Sequence, residues 1–163
     1  MLFTDHQYKL VALGGTFDLL HEGHIQLLSE AFKIGATVLI GVTSDAMVKS
    51  LGKNHTVLPY ARRVNNIRKF LKARGWSTRA RVSKLNEPYG PAARRKKLQT
   101  LIVSKNTFQS GRRLNELRRK AGLNPLNLHV VRLRVAGDGK PISTTRIRNG
   151  EIDLRGRLLK CRD

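Results

Sequence analysis

Cysteine is nearly absent from this chain: Cys161 is the single one in 163 residues. One thiol closes no internal disulfide, so the small stapled scaffolds of the secretory route are excluded and a cytoplasmic location is expected. Acidic residues are scarce as well, 11 against 32 Lys and Arg, which leaves a net charge of +21. Aromatic residues make up 6% of the chain, few for the stacking platforms that readers of single strands set along a basic stripe. No apolar run reaches the ~18 residues of a membrane span. The opening Met1-Leu2-Phe3-Thr4-Asp5 has no basic start or apolar stretch of a signal peptide, so no membrane partner is expected. What is present is 40% hydrophobic content, too much for a disordered chain. The length suits one domain over 1–163, able to bury roughly 70% of its unfolded surface.

The apolar positions alternate between two periods. Tyr8-Lys9-Leu10-Val11-Ala12-Leu13 reads as a short buried strand stopped by Gly14-Gly15, and Ala36 to Val42 as a second, β-branched one. Arg79 to Leu85, Thr100 to Val103 and Leu126 to Val135 supply three more. Between them Ile25, Leu28 and Phe32, with Gly35 as the stop, follow helical spacing. Tyr60, Val64, Ile67 and Leu71 do the same, on a helix expected to turn its Arg and Lys residues to solvent, as do Leu114, Leu117 and Ala121. Thr43-Ser44-Asp45 and Asn86 to Pro91 read as loops. Strands alternating with helices predict an α/β fold: a Rossmann-like, doubly wound parallel sheet of about five strands.

Such sheets bind ligands where the strands end. Directly after the first strand stands Gly14-Gly15-Thr16-Phe17-Asp18-Leu19-Leu20-His21-Glu22-Gly23-His24, running into a helix. Its glycines let backbone N–H groups approach a phosphate, and the helix N-terminus adds partial positive charge. His21 and His24, three apart, project from one side of the first turn and are placed to donate hydrogen bonds to phosphoryl oxygens. The string matches neither the P-loop nor the G-x-G-x-x-G dinucleotide pattern. It also lacks the H-E-x-x-H spacing of a zinc site, so no metal held by protein side chains is expected.

With Ile142-Ser143-Thr144-Thr145-Arg146-Ile147-Arg148 near the C-terminus, the chain carries both signatures of the HxGH nucleotidyltransferases. Within that superfamily it most resembles the archaeal (eukaryotic-type) phosphopantetheine adenylyltransferases over nearly its whole length. The supporting strings are Gly41-Val42-Thr43-Ser44-Asp45, Tyr89-Gly90-Pro91-Ala92, Gly122-Leu123-Asn124-Pro125-Leu126 and Gly150-Glu151-Ile152-Asp153. The resemblance implies adenylyl transfer from ATP, with Mg²⁺, to 4′-phosphopantetheine, giving dephospho-coenzyme A and pyrophosphate. It implies that His24 and His21 meet the triphosphate, and that Gly14, Gly15, Ser143, Thr144, Thr145 and Arg148 hold ATP phosphates. Thr16, Phe17 and Lys49 are implied for the phosphopantetheine side and His24, His21 and Lys49 for catalysis, Lys49 (competing with Lys53) bridging the two substrates' phosphates. Arg112, Asn115 and Arg119, a stripe on one helix beside Arg118, are implied to face ATP. The chain departs from the family pattern at Lys105-Asn106-Thr107, where a carboxylate is usual, and at Gly137-Asp138-Gly139.

Two other readings stay open on the sequence. A sister enzyme of the same chemistry, a glycerol-3-phosphate cytidylyltransferase or an FAD synthetase, shares both motifs, although Gly139-Lys140-Pro141 replaces the string that usually precedes the second motif in cytidylyltransferases. A basic nucleic-acid-binding protein fits the charge, since residues 60–120 carry 19 Lys and Arg and only Glu87 and Glu116. Nonspecific nucleic-acid binding that weakens with salt is expected from such a stretch.

Overall fold

The computed structural model describes residues 6–52 and 56–160, so Lys53 and Cys161 fall outside it. In chain order the strands are β1 (Tyr8–Gly15), β2 (Gly35–Thr43), β3 (Ala80–Leu85), β4 (Thr100–Ser104) and β5 (Asn127–Val131). The α-helices are α1 (Glu22–Ile34), α2 (Asp45–Ser50), α3 (Tyr60–Ala73), α4 (Phe108–Lys120) and α5 (Thr144–Arg148). The strands form one sheet in the order β3-β2-β1-β4-β5, and every neighbouring pair is parallel. The expected Rossmann-like, doubly wound sheet is thus borne out.

Alternation along β1 explains why helices cover both faces. Val11 and Leu13 join the cluster that includes Leu28 and Phe32 of α1 and Val64, Ile67 and Leu71 of α3. Leu10 and Ala12 turn the other way, to Leu114 of α4 and to Ala92 and Leu98. Such a strand, buried on both sides, needs apolar residues at consecutive positions, which Leu10 to Leu13 supply. Gly35 ends α1, but not as a left-handed cap: its φ is −106° and it leads straight into β2. A Cβ there would lie 2.5 Å from Val11 Cγ2, so glycine is required by the close approach of β1 and β2.

Three local expectations are corrected. Asp45, expected in a loop, opens α2, because Ser44 caps that helix by accepting from the Met47 N–H at 3.1 Å. β5 stops at Val131 rather than reaching Val135: the Arg134 N–H donates to Gln26 Oε1 of α1, and Val135 bridges antiparallel to Pro141. Finally, α3 does not turn all its cations outward, since Arg63 is fully buried.

The chain runs outward from β1 through β2 to β3, then returns to the other side of β1 as β4. At that reversal the strand ends part and open a crevice, the usual ligand position in such folds. A small outlying cluster of Ala136, Ile142 and Ile152 carries α5. Arg146 fixes it further by ion pairs to Asp138 and Glu151, at 2.6 and 2.8 Å.

Candidate active site

The loop after β1 is held from three directions. Phe17 has φ 50°, a left-handed conformation rare outside glycine, and its ring is buried. The fold maintains this strain with a dense set of bonds. Asp18, also buried, receives the Arg148 guanidinium in a two-pronged contact: Nε to Oδ2 at 2.9 Å and Nη2 to Oδ1 at 3.0 Å. Its Oδ1 also accepts the Leu58 N–H at 2.8 Å. The first motif and the last are therefore joined directly across 130 residues of sequence. The Glu22 N–H adds a backbone bond to the Leu154 carbonyl at 2.9 Å, so the start of α1 and the C-terminal segment are adjacent.

The third hold comes from Arg63. Its Nε donates to the Leu58 carbonyl at 2.8 Å, and its Nη1 to the carbonyls of Thr16 and Thr43 at 2.9 and 2.8 Å. Nη2 pairs with Asp45 Oδ1 at 2.9 Å. One guanidinium thus ties the phosphate loop, the end of β2 and the start of α2 into a single unit. Sequence reading overlooked it, although Arg63 stands four residues before Ile67 and so on the inward stripe of α3.

The histidines open α1. His21 is its N-cap: Nδ1 accepts the Gly23 N–H at 3.1 Å, which leaves the ring proton on Nε2. Burial pushes its pKa down to about 4, so the ring is neutral near pH 7 and Nε2–H is a ready donor. The His24 ring stacks on it, centroids 3.8 Å apart, with Phe17 5.1 Å away on the loop side. His24 Nδ1 lies 3.0 Å from the Leu19 carbonyl and 3.4 Å from the His21 N–H. A protonated nitrogen cannot accept, so the shorter contact assigns the proton to Nδ1.

From Gly14, Gly15 and Thr16 a cavity of about 380 Å³ runs between the sheet and α4. Its wall is largely apolar, built from Leu39, Leu85, Tyr89, Leu101 and Leu114, with Thr107 and Ser110 at the α4 end. Among the described residues no three His, Cys, Asp or Glu side chains are grouped as a protein-held metal would need.

The structure thus brings together Gly14, Gly15, Thr16, Phe17, His21 and His24, and through the Asp18–Arg148 pair it draws in α5. Ser143 caps that helix, accepting from the Arg146 N–H at 3.3 Å, with Thr144 and Thr145 in its first turn. Two of the residues expected to hold ATP have partners within the protein. Arg148 directs its guanidinium to Asp18, a carboxylate whose burial demands a cation. Asn115 is buried and bonded at both ends of its amide to the Leu126 backbone, at 2.9 and 2.7 Å, so it fixes β5 to α4. Arg118, beside that stripe, is buried on backbone carbonyls as well. Arg112 and Arg119 are exposed and, at 3.6 residues per turn, lie roughly opposite Ser110 and Leu114 on α4. Lys49 is exposed in the last turn of α2, between the cavity-lining Met47 and Leu51.

A family model described as Cytidylyltransferase-like matches residues 12–150, which span both motifs. The chain belongs to the cytidylyltransferase-like family. It is a nucleotidyltransferase by that membership, as both motifs imply. A phosphopantetheine adenylyltransferase of Methanothermobacter thermautotrophicus is 40% identical over 154 residues, covering 94% of this chain and 92% of that protein. The protein of that name from Methanosarcina barkeri is 42% identical over 153 residues, 92% of each chain. Among solved structures, a protein of unknown function from Archaeoglobus fulgidus is 34% identical with a TM-score of 0.67, over 75% of this chain and 88% of that one. A bifunctional NMN adenylyltransferase/ADP ribose pyrophosphatase from Francisella tularensis shares the fold alone, at 14% identity and a TM-score of 0.60, covering 87% of this chain and 41% of that one.

Proposed function

We propose that the chain transfers the adenylyl group of ATP to 4′-phosphopantetheine, giving dephospho-coenzyme A and pyrophosphate. The observation that carries this choice of acceptor is the apolar cavity that begins at Gly14-Gly15-Thr16. A phosphate seated on the glycine backbone would put the rest of its molecule between Leu39, Leu85, Leu101 and Leu114. That suits an extended, weakly polar arm. Glycerol 3-phosphate, small and rich in hydroxyls, would leave those walls unfilled. The phosphopantetheine adenylyltransferases named above, about 40% identical, are the relatives that support the same acceptor.

The chemistry needs no covalent enzyme intermediate. An oxygen of the acceptor phosphate attacks the α-phosphorus of ATP in line; the new P–O bond forms as the bond to the β-phosphate oxygen breaks, and pyrophosphate leaves with that electron pair. Catalysis then rests on positioning and on neutralising charge at the phosphoryl oxygens. His21 donates through Nε2–H to the triphosphate. His24, with its Nδ1–H held by the Leu19 carbonyl, turns Nε2 to an α-phosphoryl oxygen and donates there as the imidazolium, the form that the developing charge favours. Gly14, Gly15 and Thr16 hold the attacking phosphate against the end of β1, with Phe17 packed beneath. Ser143, Thr144 and Thr145 face the β- and γ-phosphates from α5, and the Asp18–Arg148 pair sets the distance between the two halves. Lys49 reaches the acceptor phosphate from α2, and Arg112 and Arg119 add positive potential along α4. Mg²⁺ enters as part of the ATP substrate, its ligands supplied by phosphate oxygens and water.

The deciding experiment offers ATP and CTP with phosphopantetheine, glycerol 3-phosphate and FMN, and follows pyrophosphate release with mass spectrometry of the product. Dephospho-coenzyme A from ATP is expected. Turnover restricted to glycerol 3-phosphate or FMN would overturn the assignment.

A further inference from the structure

Positive charge gathers on the side of the sheet away from the histidines' own helix. Arg81 lies exposed on β3, the edge strand, and Arg94, Arg95, Lys96 and Lys97 follow on one exposed turn. Arg112, Arg113, Arg119 and Lys120 are exposed on α4. Only Glu87 and Glu116 oppose these nine cations within the two segments, and Glu87 is already paired with Arg94. A polar groove of about 600 Å³ opens between Lys84, Asn86, Glu87, Arg94 and Arg95.

This turn is built into the fold. The fully buried Arg118 of α4 donates through Nη1 to the carbonyls of Ala92 and Arg95, at 2.6 and 3.2 Å, and through Nε to that of Asn124 at 2.9 Å. The N–H groups of Arg94 and Arg95 both bond to the Pro91 carbonyl, and the Leu98 N–H to that of Arg95. The four consecutive cations therefore stand at fixed positions beside α4. Holding so many like charges together costs stability through mutual repulsion, and a bound polyanion relieves it.

We infer that this face binds nucleic acid through its phosphate backbone, a second function that goes beyond the proposed adenylyl transfer and does not depend on it. A small anion would occupy the groove and leave the turn and α4 unmatched; a phosphate chain, charged at regular intervals, spans all three. Anionic lipid is a poorer match, since among the described residues Leu117 is the one exposed large apolar side chain on these segments. Base readout is not expected: Tyr89 is turned to the acceptor cavity, so the face offers backbone contacts without a stacking platform. Binding is thus indifferent to sequence and governed by counterion release.

The test is fluorescence anisotropy of the full chain with labelled poly(U) RNA across a salt series. If four to six phosphates are neutralised, log K falls against log salt with a slope of about −3 to −4. The triple variant Arg95→Gln/Lys96→Gln/Lys97→Gln, which touches no group assigned to catalysis, is expected to reduce that slope by about 2 and to weaken binding more than about 10-fold near 0.1 M salt. Adenylyl transfer by the same variant is expected to stay within about twofold of the parent, and its melting temperature to stay the same or rise. No binding at about 50 mM salt, or a variant with the parental slope, would overturn the inference. Tighter association with anionic vesicles than with RNA would overturn it too, in favour of a membrane surface.

Discussion

Replacing Arg63 by Met removes a side chain that holds the phosphate loop, β2 and α2 together. Methionine keeps most of the apolar stem, so the change isolates the guanidinium. Three backbone carbonyls, of Leu58, Thr16 and Thr43, lose a donor at 2.8–2.9 Å. Each buried acceptor left unmatched costs about 1–3 kcal/mol, reduced where water or a shift of the loop restores a partner. The pair with Asp45 adds little, because that carboxylate is 56% exposed and well solvated. A loss of about 3–5 kcal/mol follows. For a chain of this size that corresponds to a fall in melting temperature of about 6–20 °C. Activity responds separately. With the Thr16 carbonyl released, the acceptor phosphate is misplaced, and a displacement of about 1 Å at a reacting group is enough for ~10²-fold. Calorimetry gives the first quantity. Steady-state kinetics well below the new midpoint give the second, as a drop of about 10–100-fold in kcat/KM for the acceptor. Arg63→Lys should fall between, since one ammonium cannot reach all three carbonyls. A melting temperature within about 2 °C of the parent for Arg63→Met would refute the reasoning.

Two further outcomes test the site. His21 carries a folded pKa of about 4 against the ordinary 6.5, so between those values the unfolded chain binds the proton and the folded chain does not. Its contribution to stability is present above about pH 6.5 and is lost as pH falls toward 4. Urea titrations from neutral pH into that window should show a shallower decline for His21→Asn, which keeps the N-cap but does not titrate; identical pH profiles would remove the buried histidine from the explanation. Ser110→Trp, on the exposed rim of the acceptor cavity, should raise KM for phosphopantetheine by ~10-fold or more while KM for ATP stays within twofold. A parallel rise for both substrates would mean that the cavity is not the acceptor's.

Much of this was legible along the chain, because the relevant signals are local. Four consecutive apolar residues in β1, the β-branched run of β2 and the helical spacing of Val64, Ile67 and Leu71 each announce their element within a few positions. The glycine–histidine loop announces its chemistry the same way. What the sequence hid depends on partners far away. Arg148 reads as a phosphate ligand from its motif, and its bond to Asp18 stays hidden because no spacing rule pairs residues 130 apart. Asn115 looks like part of a polar stripe until Leu126 offers both a donor and an acceptor for its amide. Arg63 reads as one of the solvent-facing cations of its helix and Arg118 as a neighbour of the ATP stripe, yet each is buried on several backbone carbonyls. The short α2 escaped notice because six residues give too little periodicity to set against its Ser44 cap.

The most direct test of the two-motif phosphate site is the turnover of His24→Ala with ATP and phosphopantetheine. Removal of a donor that acts on the developing charge should lower kcat by about 10²–10³-fold, about 3–4 kcal/mol, with little change in melting temperature. An undiminished kcat would contradict the placement of this imidazole at the α-phosphate, and with it the convergence of the loop and α5 on one triphosphate.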